Sequence, residues 1–388
     1  MADKIKLGII GSSTMYGYGQ LPLAVDHPDY EVYAIAEVNP DRLDFIAGQC
    51  KVPPERRFSD YHDLLQMPEI QGVVVTTRVD QHYGVVMSAA LAGKHILCER
   101  PLAPTVAQGW EMVDAARQNN VMLLVNLPVR MEAPTRKLIQ LVREGKVGKV
   151  CSLRLCYLWY GPEADRRSYR QVGSAADSLN YLWFGAEIDK QTGSQRSRRD
   201  ILMEEGGGPI FDTGTHYFDL ARVLAGSEFR DINAVGSWVE TQYNNPGHVI
   251  CTGYFENGVI ALIEESWVYT HNSGRRNAVH RVEVVGTEGL AVNEWDWDPE
   301  KQIYTANKVK LFAGGQFQED VYQVEKDFVA MYGHFANVVR EGKYNPDMAT
   351  GEDGIIAMEC AMKALEACRR NRFAKNEILR EQSKYWVT

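Results

Sequence analysis

Between residues 5 and 126 the chain alternates short apolar runs with amphipathic stretches, and this alternation limits the fold more than any other feature. Lys6–Ile10, Glu31–Glu37, Gly72–Thr77, His95–Cys98 and Val121–Val125 have the length and β-branched content of buried strands. Asp41–Cys50 follows Asn39-Pro40 as a helix does, Tyr83–Ala92 stops at Gly93, and Thr105–Gln118 completes the set. Strand and helix in regular turn predict a mostly parallel sheet covered by helices on both faces.

The turn after the first strand reads Gly8-Ile9-Ile10-Gly11-Ser12-Ser13-Thr14-Met15-Tyr16-Gly17-Tyr18-Gly19. Small residues there let the backbone approach a dinucleotide pyrophosphate, and the next helix offers free N–H groups and its positive end. Gly11, Ser12, Ser13, Thr14 and Met15 are the candidate contacts, although Ser13 and Tyr16 occupy two positions of a strict GxGxxG. A ligand-free glycine turn is the alternative. The second strand ends at Glu37, where an acidic side chain accepts hydrogen bonds from ribose hydroxyls and repels a 2′-phosphate. That favours NAD over NADP, with a solvated strand end as the alternative. Cys98-Glu99-Arg100-Pro101 puts a charged pair and a proline at another strand end, the edge that faces the ligand crevice in open α/β sheets.

Beyond a helix at Ala133–Glu144 the pattern changes. Val150–Trp159 alternates like a strand, and residues 160–204 are irregular and rich in aromatic side chains and Arg. Gly206-Gly207-Gly208 leads into a helix expected over Asp212–Leu224. Asp231–Glu240, Val249–Phe255, Val259–Trp267 and His280–Val285 read as strands, with Asn257-Gly258 as a hairpin turn. Helices over Asp320–Arg340 and Gly351–Arg370 close the chain. The expected architecture is α/β. Residues 1–126 form a dinucleotide-binding domain, and residues 127–388 form an α+β domain on a large, mostly antiparallel open sheet.

The combination resembles the Gfo/Idh/MocA family of NAD(P)-dependent oxidoreductases. The resemblance rests on Gly8–Gly19, Glu37-Val38-Asn39-Pro40, Thr76-Thr77 through His82, Glu99-Arg100-Pro101, Asn126 through Arg130, and Gly206-Gly207-Gly208 through Asp219. It implies a Rossmann domain joined to a second α/β domain whose open sheet often mediates oligomerisation, hence a homodimer or homotetramer. It implies hydride transfer to or from a carbon of a sugar, glycoside or polyol. It adds Thr77, His82, Glu99, Arg100 and Asn126 to the cofactor contacts and places Arg130 near the substrate, with an ion pair between domains as its alternative. The family usually carries Lys where this chain has Arg100, and Arg holds or polarises an oxygen rather than relaying a proton.

The family's Asp-x-x-x-His matches Asp212 and His216. At that spacing one helix would carry both on one face, with Asp219 also within reach. An alcohol-to-ketone step needs a group that takes or gives a proton near neutral pH, which suits His216, with Asp212 orienting the substrate. The alternatives are a capping Asp beside a core His, or a metal site including Asp219, which no further ligand cluster supports. Trp159 and Trp183 flank Arg166, Arg167 and Arg170, a segment that reads either as a substrate lid or as a packing segment.

Composition narrows the partners. With 51 acidic against 42 basic residues in 388, the formal charge is −9, which argues against broad binding to nucleic acid or an anionic membrane. No apolar run approaches the roughly 18 residues of a membrane span, and Met1–Leu7 runs directly into the first strand without a signal-peptide pattern. Seven scattered cysteines read as reduced thiols in a cytoplasmic protein. Two rival functions remain: a transient-redox enzyme that keeps its NAD, and a sensor that binds dinucleotide without turnover.

Overall fold

A computed structural model describes residues 3–11, 24–159, 187–188, 195–196, 198–204, 206–268, 279–298, 303–323, 328–344 and 346–372. Packing divides the chain into two compact units. The first draws its described residues chiefly from Met1–Arg136 and Glu325–Met358, the second from Lys137–Asp165, Arg199–Val324 and Glu359–Thr388.

The first unit is built on β1 (Ile5–Ile10), β2 (Tyr30–Ala36), α1 (Pro40–Gln49), β3 (Arg57–Phe58), α2 (Tyr61–Leu65), β4 (Gly72–Val75), α3 (Val79–Leu91), β5 (His95–Cys98), α4 (Val106–Gln118) and β6 (Leu123–Val125). Helix starts follow local chemistry. Asn39 accepts from the Arg42 N–H with Pro40 at the first helical position, and Thr105 accepts from the Gln108 N–H. The six strands are parallel in the order β3-β2-β1-β4-β5-β6. The order reverses at β1, the switch point outside which ligands bind in such sheets.

The core of this sheet gathers Ile5, Leu7, Ile9, Ile35, Val74, Leu97 and Leu124 with Tyr332 and Phe335 from a distant helix, Phe328–Glu341. The Tyr30 hydroxyl donates to the Tyr332 carbonyl at 2.7 Å, and the Val125 N–H donates to the Ala349 carbonyl at 3.0 Å. Packing therefore does not follow a single cut after residue 126, the division expected from the sequence. Apolar residues around 331–348 complete this core, and only tertiary contact reveals that.

After α5 (Ala133–Arg143) come β7 (Val150–Leu158), a short antiparallel ladder of β8 (Glu187–Ile188) with β9 (Gln195–Arg196), then α6 (Arg198–Glu204), α7 (Gly208–Asp212) and α8 (Gly214–Ala225). β10 (Phe229–Ser237), β11 (His248–Phe255), β12 (Ile260–Ser266), β13 (Val279–Gly286), β14 (Gly289–Asp298), β15 (Ile303–Ala313) and β16 (Gln316–Tyr322) follow. The last helices are α9 (Phe328–Glu341) and α10 (Gly351–Arg370). The second unit's eight-stranded sheet runs β10-β11-β12-β7-β13-β14-β15-β16 and is antiparallel except for the β12–β7 pair.

One expected helix is corrected. Asp320–Arg340 is not continuous, because Gln316–Tyr322 pairs with β15 and the helix begins at Phe328. Gly314 and Gly315, at φ +59° and +74°, make the two-residue reversal that sets up this hairpin. β16 is an exposed edge strand, so its sequence lacks the buried alternation that marks a strand.

α8 packs on β7 and β12. That inner face buries Leu153, Leu155, Ile263, Val282, Val284 and Ala291. The outer face exposes Val235, Ile250, Tyr254, Ile260 and Leu262 at one end and Phe312, Phe317 and Val321 at the other. Between them lies an ion-pair band in which Arg281 meets Glu283 and Glu294, and Lys310 meets Glu294.

Candidate active site

Five of the six strands of the parallel sheet are followed by a residue tied to the neighbouring strand by one further backbone hydrogen bond. Glu37 N–H donates to Phe58, Gly11 to Ala36, Thr76 to Ile10, Glu99 to Val75 and Asn126 to Cys98, all at 2.8–3.0 Å. The sheet thus extends one residue past its strands and sets Glu37, Gly11, Thr76, Glu99 and Asn126 along one carboxyl edge.

Gly11 sits at φ +82°, and a Cβ there would lie 2.8 Å from the Thr77 nitrogen. Only glycine fits, because the β1 and β4 turns come into contact at this point. The Thr76 hydroxyl donates to the Gly11 carbonyl at 2.6 Å, locking the two turns. The Thr77 hydroxyl is buried without a hydrogen-bond partner among the described residues. Glu37 is 6% exposed, and its carboxylate accepts the Asn39 N–H at 3.0 Å.

Glu99 is buried, accepting from the Asn126 side-chain amide at 2.5 Å and from the Arg100 N–H at 3.3 Å. The Asn126 side-chain oxygen has no hydrogen-bond partner among the described residues. His82 is buried with Nδ1 3.0 Å from the Pro101 carbonyl and Nε2 3.0 Å from the Thr77 carbonyl. Its ring ties the β4 turn to the turn after β5, and burial pushes its pKa down. Arg130 is 4% exposed, with Nη1 donating to the Met348 carbonyl at 3.0 Å and 3.6 Å from Asp353. Those partners lie in its own unit, so the guanidinium braces the first unit.

In the second unit Asp212 and His216 are both buried, but not on one continuous helix. The expected helix Asp212–Leu224 divides at Thr213 into α7 and α8. Thr213 donates through its hydroxyl to the Glu265 carboxylate at 2.8 Å, lies 3.0 Å from the Pro209 carbonyl, and is followed by a tight bond from the His216 N–H to the Thr213 carbonyl at 3.1 Å. A side chain that bonds back to its own turn bends a helix in this way. Asp219 is fully buried 3.9 Å from Arg222, which in turn binds Glu228 through two hydrogen bonds of 2.6 Å. Asp219 is thus part of a structural network.

Two stretches match family models: residues 5–127 the oxidoreductase family with an NAD-binding Rossmann fold, and residues 180–292 the Gfo/Idh/MocA C-terminal domain. The chain belongs to the Gfo/Idh/MocA oxidoreductase family. It is 27% identical to levoglucosan dehydrogenase from Pseudarthrobacter phenanthrenivorans, over 77% of this chain and 75% of that one. It is 24% identical to myo-inositol 2-dehydrogenase from Thermotoga maritima, over 90% and 92%. The crystal structure of aldose-aldose oxidoreductase from Caulobacter crescentus complexed with glycerol superposes with a TM-score of 0.75 at 20% identity, covering 95% of this chain and 99% of that one.

The residues present fit the dinucleotide of a Gfo/Idh/MocA Rossmann domain. Gly11 holds the β1 turn tight against the β4 turn at the switch point, the Glu37 carboxylate would offer acceptors to ribose hydroxyls, and Thr77 and Asn126 each keep an unbonded polar atom at the same edge. Ser12, Ser13, Thr14, Met15, Tyr16, Trp183, Arg166, Arg167 and Arg170 lie outside the described residues. Trp159 follows β7 and packs edge-on against Trp267 at 6.2 Å. Among the described residues no group of three or more His, Cys, Asp or Glu is placed to hold a metal ion, and no helix is long and apolar enough to cross a membrane.

Sequence reasoning missed the polar row on the inner face of the second sheet. Register aligns Glu265 with Tyr157 and Tyr157 with His280, and it aligns Trp295 with Asn307. His280 and Trp295 pack ring to ring at 4.9 Å, which closes the row. A His, an acid and two aromatic residues at inward positions of neighbouring strands were the available signal, but strand pairing was needed to read it.

Proposed function

We propose that the chain is an NAD-dependent dehydrogenase or reductase that interconverts an alcohol and a ketone on a sugar, glycoside or polyol. The observation that carries this is the aligned edge of Gly11, Glu37, Thr76, Glu99 and Asn126, in a chain whose second unit buries Asp212 and His216. Relatives named for levoglucosan and myo-inositol dehydrogenation support the substrate class.

Bound NAD supplies the hydride acceptor at its nicotinamide. His216 takes the hydroxyl proton during oxidation and returns it during reduction. Asp212 orients the substrate hydroxyl. Arg100, always charged, polarises the reacting oxygen. His82 and Arg130 act as positioning residues, and Trp159 offers an aromatic face to the substrate. Glu37 selects NAD, because a 2′-phosphate beside a buried carboxylate is repelled.

The reading extends to assembly and setting. The exposed apolar residues of the outer sheet face join copies of the chain into a homodimer or homotetramer. Seven free thiols suit the cytoplasm.

Titration with NADH and NADPH, followed by energy transfer from Trp, tests cofactor choice. A polyol and sugar panel followed at 340 nm tests turnover. Tight NADH binding, weak NADPH binding and net NADH formation are expected. Failure of both cofactors to bind defeats the reading. Product without net NADH transfers it to the transient-redox reading, and dinucleotide binding without turnover to the sensor reading, which Arg100 in place of a proton-relaying Lys favours.

A further inference from the structure

We infer that His280 is a specificity-determining residue that binds hydroxyl groups of a polyhydroxylated substrate at the inner face of the second unit's sheet. The inference rests on the dehydrogenase reading above.

His280 lies on β13 and is 3% exposed. Neither of its ring nitrogens has a hydrogen-bond partner among the described residues. Its surroundings are aromatic: Trp295 at 4.9 Å, Tyr217 at 6.0 Å and Tyr157 at 6.2 Å between ring centroids. A phenyl ring would suit these walls better, since a buried imidazole without partners destabilises the fold. A native orphan of this kind calls for a role, and a ligand is one.

Position narrows the role. His280 belongs to the row Glu265, Tyr157, His280, Trp295 and Asn307, which crosses the sheet from β12 to β15. In the next row along the strands Ile263, Leu155 and Val282 are apolar core, and the buried polar side chain that follows them, Asn293, is paired by donating to Asn307. α8 sits on the polar row directly: the Thr213 hydroxyl reaches Glu265, and the Tyr217 ring stacks on Tyr157 at 5.7 Å. Tyr217 follows His216 in the chain, so the orphan imidazole lies one aromatic ring from the helix turn that carries the acid–base group.

Burial pushes the His280 pKa down to about 4, so the ring is neutral at pH 7. A neutral imidazole offers one donor and one acceptor, and hydroxyl groups complement both. Tyr157 and Trp295 are only half-buried, and a shift of either ring opens the way to His280. Discrimination follows from the same orphaning. A substrate lacking the matching hydroxyl leaves the imidazole unpaired, which sites built to hydrogen-bond a hydroxyl penalise strongly.

The test compares wild type with His280→Phe and His280→Gln on the same polyol and sugar panel, with NADH affinity and thermal midpoint measured in parallel. For His280→Phe the inference expects an unchanged or higher midpoint without substrate, unchanged NADH affinity, a KM raised at least tenfold for the best substrate, and kcat within threefold. His280→Gln, which keeps a donor and an acceptor, is expected to recover part of the KM. An unchanged KM in His280→Phe overturns the inference, as does a lowered midpoint with kcat and KM falling together, the mark of a purely structural ring. A wild type that binds NADH but turns over nothing on the panel defeats the dehydrogenase reading itself, and the substrate role of His280 falls with it.

Discussion

Gly11 and His280 show how much single positions carry. At Gly11 the left-handed backbone and the nearby Thr77 leave no room for a side chain. Gly11→Ala should raise the NADH dissociation constant at least tenfold and lower stability by about 1–2 kcal/mol, the cost of an L-residue in that conformation. Fluorescence titration and thermal melting check the two effects. His280 makes a pH prediction with a definite sign. Its folded pKa is about 4 against an ordinary 6.5. Above pH 6.5 the ring is neutral folded or unfolded and stability is full. As pH falls from 6.5 to 4 the unfolded chain gains a proton that the folded chain refuses, so stability is lost, on the order of 3 kcal/mol in total. His82 and His95 are depressed by burial too and add loss of the same sign. Denaturant unfolding across this range should show the loss, and His280→Phe should reduce it.

Among the elements, the break between α7 and α8 matters most. Glycine and proline mark the start of α7, and both are visible in the sequence, as is the i, i+4 spacing of Asp212 and His216. The bend at Thr213 was not legible, because its hydroxyl lies against the Pro209 carbonyl of its own turn while also reaching Glu265, on a strand far along the chain. Thr213→Val removes a hydrogen bond to a fully buried carboxylate and should cost about 1–3 kcal/mol in denaturant unfolding. It should also lower kcat while leaving NADH affinity unchanged, since the first unit is untouched. Edge strand β16 shows the opposite limit. Gly314-Gly315 is a hairpin signal of the same kind as Asn257-Gly258, yet the exposed residues after it carry no buried alternation and in sequence blend into the helix that follows.

For the whole molecule, the outer sheet face poses the question of assembly. Ile250, Tyr254, Ile260 and Leu262 form a contiguous exposed apolar patch on two paired strands. Ile260→Glu should give a monomer in sedimentation velocity while sparing NADH binding, because Ile260 pairs with Tyr254 and Ser152 and a carboxylate there has no cation directly across from it on association. Sequence alone determined the alternation of strand and helix, the Gly11 turn with Glu37 at the next strand end, and the Asp212–His216 spacing. These are local patterns, and local patterns are written in consecutive residues. Only the tertiary structure decided that residues around 331–348 complete the first core, that Arg130 and Asp219 are braced by Asp353 and Arg222, and that His280 is buried without a partner. Each of those depends on which residues, distant in sequence, share a place in space, and no periodicity along one chain encodes that.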